Sequence, residues 1–158
     1  MKIQKIVLFD IDYTLFDTDT FKSTNLEKHT VYQEVHEVLD DLSKFAKLGI
    51  FSEGQLEFQK NKLIKTGIKK YFGEEYIHIV EKKDIELENI LLKYQGHLII
   101  LIDDKLTVLR DAKNILSSVY TIWVKRGIYA KVQKPIENFV PYATIDNLKD
   151  LISIVKSI

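Results

Sequence analysis

The chain has no cysteine, two prolines, six glycines and one tryptophan in 158 residues. Without cysteine there can be no disulfide framework, no thiolate metal site and no cysteine nucleophile, and the absence fits a reducing, cytoplasmic setting. The prolines, Pro135 and Pro141, both fall late, so no proline-rich linker divides the sequence. Long apolar runs are also missing. The longest is Leu98–Ile102, whereas a membrane-spanning helix needs roughly 20 apolar residues. Met1–Asp10 lacks the extended apolar segment and cleavage site of a secretory signal. Neither sign of charge is in excess: Lys plus Arg is 23 and Asp plus Glu is 23. That balance argues against binding nucleic acid or membranes through bulk charge. The basic stretch Lys60–Lys70 reads as a solvated helix face, although a local patch leaves a nucleic-acid substrate open.

What is present suits one globular domain. Hydrophobic residues make up 46% and charged residues 29%, and a chain of this length can bury a full core. Short apolar or β-branched runs recur at Ile6–Phe9, Ile50–Phe51, Ile77–Val80, Leu98–Ile102 and Thr121–Val124, with a weaker one at Tyr142–Ile145. Unbroken apolar runs of this length predict strands buried on both faces of a parallel sheet. Helical spacing fills the gaps. Val35, Val38, Leu39, Leu42, Phe45 and Ala46 predict a helix through about Lys47, stopped by Gly49. Leu56, Leu63 and Ile64 predict a second. Leu87, Ile90, Leu91 and Tyr94 predict a third, with Asp84 as its N-cap. Leu109, Ala112, Ile115 and Leu116 predict a fourth, and Leu148, Leu151, Ile152 and Val155 a fifth, capped by Asp146 or Asn147. This alternation predicts a three-layer α/β/α sandwich around a Rossmann-like parallel sheet.

In such sheets ligands bind beyond the carboxyl ends of the strands. The residues there are Asp10, Asp12 and Thr14 after the first strand, Ser52 after the second, Glu81, Lys82 and Lys83 after the third, and Asp103 and Asp104 after the fourth. Converging carboxylates suit Mg²⁺, which takes one or two of them with waters and phosphate oxygens. A hydroxyl and a lysine suit the remaining phosphoryl oxygens. The set points to magnesium-dependent phosphoryl transfer.

Residues 6–16, an apolar strand followed by Asp-x-Asp-x-Thr, resemble the first motif of the haloacid dehalogenase superfamily. Gly49–Ser52 resembles the second motif, Lys82-Lys83-Asp84 the third with its single lysine, and Leu98–Asp104 the fourth with its paired acids. The segments 69–72 and 121–124 also resemble the family's linking segments, so the likeness runs along nearly the whole chain. It implies that Asp10 is a nucleophile forming an aspartyl-phosphate. Asp12 would then be general acid and base, with its backbone carbonyl a Mg²⁺ ligand alongside Asp10 and the Asp103–Asp104 pair. Ser52 and one of Lys82 and Lys83 would hold the phosphoryl group. Lys83 is favoured because it directly precedes the expected helix cap. Thr14 would fix the turn beside the phosphate. The presence of Asp12 disfavours carbon–halogen cleavage, and Ile11, where transport ATPases carry lysine, disfavours that class. The implied activity is hydrolysis of phosphomonoesters; a phosphotransferase or a non-catalytic regulatory module on the same fold are the alternatives.

Many family members insert a cap domain between the first two motifs. Here 41 residues (11–51) separate Asp10 from Ser52. After the core helix is subtracted, residues 17–34 remain as a minimal flap or cap in a single domain spanning 1–158. Asp17–Thr20 would start one helix running through Tyr32. So short a cap predicts an open site that takes a bulky or macromolecular phosphorylated substrate, or one closed by an oligomer partner.

Overall fold

The computed structural model describes residues 2–158. Six strands, β1 (Lys5–Phe9), β2 (Lys47–Glu53), β3 (Ile77–Val80), β4 (Leu98–Asp103), β5 (Tyr120–Val124) and β6 (Ala143–Ile145), form one sheet. Every pairing is parallel and the order is β3-β2-β1-β4-β5-β6. The chain winds outward from β1 to β3, then returns to β4 on the other side of β1. The direction of winding therefore reverses at the β1/β4 junction, where a crevice opens at the carboxyl ends of the strands.

Alternation along β1 feeds two cores. Val7 and Phe9 pack with Val38, Leu39, Leu42 and Leu151 on one face. Ile6 and Leu8 pack with Leu87, Leu91, Leu109 and Ala112 on the other. The first face is covered by α2 (Val35–Ser43), α3 (Leu56–Lys65) and α7 (Leu151–Ser157), and the second by α4 (Lys83–Lys93) and α5 (Leu106–Ile115). Two short helices, α1 (Thr18–Ser23) and α6 (Gly127–Val132), lie after β1 and β5. Among the described residues, no helix is long and apolar enough to cross a membrane.

Several local expectations are corrected. Gly49 does not stop a helix; α2 ends at Ser43 and Gly49 lies inside β2. A Cβ there would sit 2.7 Å from the Tyr76 carbonyl oxygen and 2.8 Å from Leu8 Cδ2, so close backbone approach requires glycine. Asp84 does not cap α4. The helix begins one residue before it, and Asp84 sits in the first turn, where its charge suits the positive end of the helix dipole. Asn147, not Asp146, caps the C-terminal helical segment by accepting from Lys149 N.

The helix expected from Asp17 to Tyr32 is only six residues long. Asp17 does cap it, accepting from the backbone and hydroxyl of Thr20. At its end the hydroxyls of Ser23 and Thr24 bond back to the Thr20 carbonyl, competing with helical bonds. Asn25 and Leu26 then adopt left-handed φ of 54° and 65° and turn the chain away. The remainder returns to pair Val31 with Phe16. At the entrance to α2, buried Glu34 accepts from the Arg126 guanidinium and from Leu148 N, while Arg126 stacks 4.1 Å from the Tyr32 ring centroid.

Candidate functional site

Asp10 follows β1 and is pinned by its own N–H, which donates to the Ile102 carbonyl of β4 at 3.0 Å. The next residues form a tight loop in which Leu15 N and Phe16 N both donate to the Ile11 carbonyl. Tyr13 is left-handed there, with φ 61°. This loop turns Asp12 back over the strand ends. β4 delivers Asp103 and Asp104, and the start of α4 delivers Lys83.

Lys83 is the centre of the charge arrangement. Its Nζ donates to Asp10 Oδ1 at 2.9 Å and to Asp103 Oδ2 at 2.6 Å. Asp103 Oδ1 is filled by Lys105 N at 2.9 Å. Asp104 Oδ2 is buried without a hydrogen-bond partner. One oxygen from each of Asp10, Asp103 and Asp104 lies within 4.8 Å of the others. Two of the three buried carboxylates thus share one ammonium, and the third has none. Burial pushes the Asp10 carboxyl up to about 6, with Lys83 opposing and Asp103 reinforcing the rise. Burial, then repulsion from Asp10 and Asp103, pushes Asp104 up to about 10. Burial works against the Lys83 charge, but Asp10 and Asp103 together raise it above its ordinary value. The negative potential is undercompensated, and the orphaned Asp104 oxygen is the feature a hard divalent cation satisfies.

A cavity of about 120 Å³ opens beside this cluster, lined by Asp10, Asp12, Tyr13, Glu53, Lys83, Asp104, Lys105 and Tyr129. Asp10, Asp12, Lys83 and Asp104 are therefore brought together as the sequence suggested. Lys82 is not: it is exposed and lines a separate surface groove with Glu81 and Glu86. Lys82 precedes the helix with extended backbone (φ −138°, ψ 114°), whereas Lys83 is the first residue of α4, so the two side chains do not share a direction. Thr14 is also corrected. It is fully buried with its hydroxyl unpartnered, it does not line the cavity, and backbone bonds rather than its side chain hold the turn. Asp103 sits beneath the cavity as the partner of Lys83. Ser52 is buried below it as well, its Oγ accepting from Gln59 Nε2 at 3.1 Å. A hydroxyl that accepts in this way keeps its own proton to donate. Gln55 caps α3, its Oε1 accepting from Phe58 N at 2.6 Å.

Sequence reasoning missed Gln59, Lys62, Glu53, Lys105, Tyr13 and Tyr129. Gln59 and Lys62 are three residues apart and so share a helix face, but no local signal marks that face as turned toward Asp12. Glu53 immediately follows Ser52, and a carboxylate at a strand end was the available signal there.

No family model and no curated protein matches the sequence. The fold has clear counterparts. A haloacid dehalogenase-like hydrolase of Burkholderia xenovorans LB400 superposes with a TM-score of 0.81 at 19% identity, covering 99% of this chain and 98% of that one. A HAD-hydrolase of Bacillus subtilis, solved bound to magnesium, gives 0.77 at 14% identity, covering 98% and 99%. The L-2-haloacid dehalogenase of Xanthobacter autotrophicus, with chloropropionic acid covalently bound, gives 0.69 at 12% identity, covering 99% of this chain and 100% of that one. The chain has the fold of the haloacid dehalogenase-like hydrolases, with a small insertion in place of a cap domain.

Proposed function

We propose that the protein is a Mg²⁺-dependent phosphatase that hydrolyses phosphomonoesters through an aspartyl-phosphate on Asp10. The observation that carries this reading is the buried Asp10 carboxylate at the carboxyl end of β1. It is tethered to Lys83 at 2.9 Å and faces a cavity shared with Asp12 and Asp104. Asp10 attacks phosphorus, and the ester P–O bond breaks as Asp12 gives a proton to the leaving oxygen. Asp12 then takes a proton from water as that water attacks the acyl phosphate, which frees phosphate and restores Asp10. Lys83 holds Asp10 in line and offers positive charge to the phosphoryl oxygens. Ser52, with its proton free, donates to one of them.

The residues fit a divalent cation. Asp10 and Asp104 would hold it together with the Asp12 carbonyl, while Asp103 positions Lys83. When bound it supplies the charge that the carboxylate cluster lacks and that the phosphoryl oxygens require. We read residues 17–34 as a reduced cap on a single domain, and the shallow cavity as favouring a bulky phosphorylated substrate. The test is a hydrolysis screen over sugar phosphates, nucleotides, phosphopeptides and phosphorylated nucleic-acid ends, with and without Mg²⁺. Asp10→Asn should lower turnover by orders of magnitude while the fold survives. Full turnover by Asp10→Asn, or after exhaustive chelation, would overturn the reading.

A further inference from the structure

We propose that Lys62, seated in a cage of three phenylalanines, is a positioning residue for Asp12; this rests on the hydrolase reading above. Lys62 lies on α3, and its side chain is only 5% exposed. Its Nζ is 2.8 Å from Asp12 Oδ1. It also lies 4.8 Å from the ring centroid of Phe58, 5.0 Å from that of Phe16 and 5.4 Å from that of Phe21. A buried ammonium must be compensated, and here the carboxylate and the three ring faces do so. The rings come from three places: Phe16 from the loop after Asp12, Phe21 from α1 and Phe58 from α3.

The remaining bonds to Asp12 converge on the same purpose. Gln59, one helical turn before Lys62, donates from Nε2 to Asp12 Oδ2 at 3.0 Å and to Ser52 Oγ at 3.1 Å. Thr18, at the start of α1, donates to Asp12 Oδ1 at 3.1 Å. Both carboxylate oxygens are therefore fixed, by residues on two helices outside the strand ends. Asp12 is only partly buried and would otherwise rotate freely. Lys62 and Gln59 hold its proton-transfer atoms at one place on the cavity that Asp10 also lines, and Phe21 of α1 completes the cage that holds Lys62.

The consequence differs between substrates. The alkyl oxygen of an alkyl phosphate leaves only if it is protonated, so that ester needs Asp12 in place. The aryl oxygen of p-nitrophenyl phosphate leaves as a stable phenolate, so formation of the aspartyl-phosphate needs Asp12 far less. The experiment compares wild type, Lys62→Met and Lys62→Arg on glycerol phosphate and p-nitrophenyl phosphate with Mg²⁺, with folding checked by circular dichroism. Lys62→Met should lose about tenfold or more in kcat/KM on the alkyl ester but less than about threefold on the aryl ester, part of the roughly 10²–10⁴-fold that placed proton transfer contributes. The readout is kcat/KM because it covers only the steps through formation of the aspartyl-phosphate, where the leaving group differs; Lys62→Arg should restore it on the alkyl ester. If Lys62→Met fails to fold, Gln59→Leu, which removes the donor to Oδ2, should give the same split between substrates. Equal losses in kcat/KM on both esters, or no loss on either, would overturn the positioning role while leaving the hydrolase reading intact. A wild type that turns over no phosphomonoester of the screen with Mg²⁺, these two included, overturns the hydrolase reading and this role with it.

Discussion

Gly127 and Gly67 have the same backbone, φ +75° at each, and very different surroundings. Replacing either with alanine forces a Cβ into the left-handed region, which costs roughly 1–2 kcal/mol. At Gly67 the new atom would meet only His36 Cε1 at 3.7 Å, an ordinary contact. At Gly127 it would lie 2.3 Å from Tyr13 Cδ1, 3.0 Å from Cγ and 3.1 Å from Cε1. That ring is 5% exposed and packs edge-on against Tyr129, with centroids 5.4 Å apart. Relieving the overlap requires the Tyr13 ring to move by about an ångström, and overpacking of this kind adds roughly 1–3 kcal/mol. Gly67→Ala should therefore lose about 1–2 kcal/mol, and Gly127→Ala about 2–5 kcal/mol, by urea unfolding at fixed m-value. Tyr13 adjoins Asp12 and lines the cavity, so Gly127→Ala should also slow hydrolysis of glycerol phosphate, whereas Gly67→Ala should not. Equal stability losses would refute the placement of Tyr13 against Gly127.

Three further expectations follow from buried charge. Arg126→Met leaves the Glu34 carboxylate buried without its main partner and should destabilise by about 3–5 kcal/mol in chemical denaturation; a loss near zero would show the pair to be solvated. Asp104→Asn removes an acid crowded by Asp10 and Asp103, so it should keep or raise the melting temperature without metal and abolish the rise produced by Mg²⁺. A variant with the full Mg²⁺ response would refute Asp104 as a ligand. His78 bonds Tyr94 Oη at 2.5 Å, and burial, aided by Lys93, lowers its value to about 4. Between that value and the usual 6.5 the unfolded chain holds a proton that the native state does not. Stability should therefore fall as pH drops from 6.5 toward 4, by on the order of 1 kcal/mol after allowance for partial exposure. In His78→Gln that component of the pH profile should disappear.

The strands that carry the chemistry were legible because both of their faces are buried. β1 and β4 are unbroken apolar runs ending in carboxylates, and that pattern alone placed Asp10, Asp103 and Asp104. β2 was visible only at Ile50–Phe51, because Lys47, Gly49, Ser52 and Glu53 interrupt the pattern. Gly49 was misread because a glycine that admits a neighbouring backbone looks the same in sequence as one that ends a helix. Lys83 was favoured over Lys82 as the residue before an Asp84 cap; Lys83 does reach Asp10, but as the first residue of α4, with Lys82 at the cap position. Gln59 and Lys62 could not be found at all: their contacts with Asp12 span 47 and 50 residues, and local periodicity carries no trace of them.

The central claim is that phosphate passes through Asp10. A phosphomonoester labelled in its phosphate should be mixed with the Mg²⁺-loaded protein, quenched in acid within a turnover, digested and mapped by mass. The account predicts phosphate on the peptide bearing Asp10, absent in Asp10→Asn and discharged by water when the reaction is left to finish. Normal turnover with no label on Asp10, or with label on another residue, would contradict it.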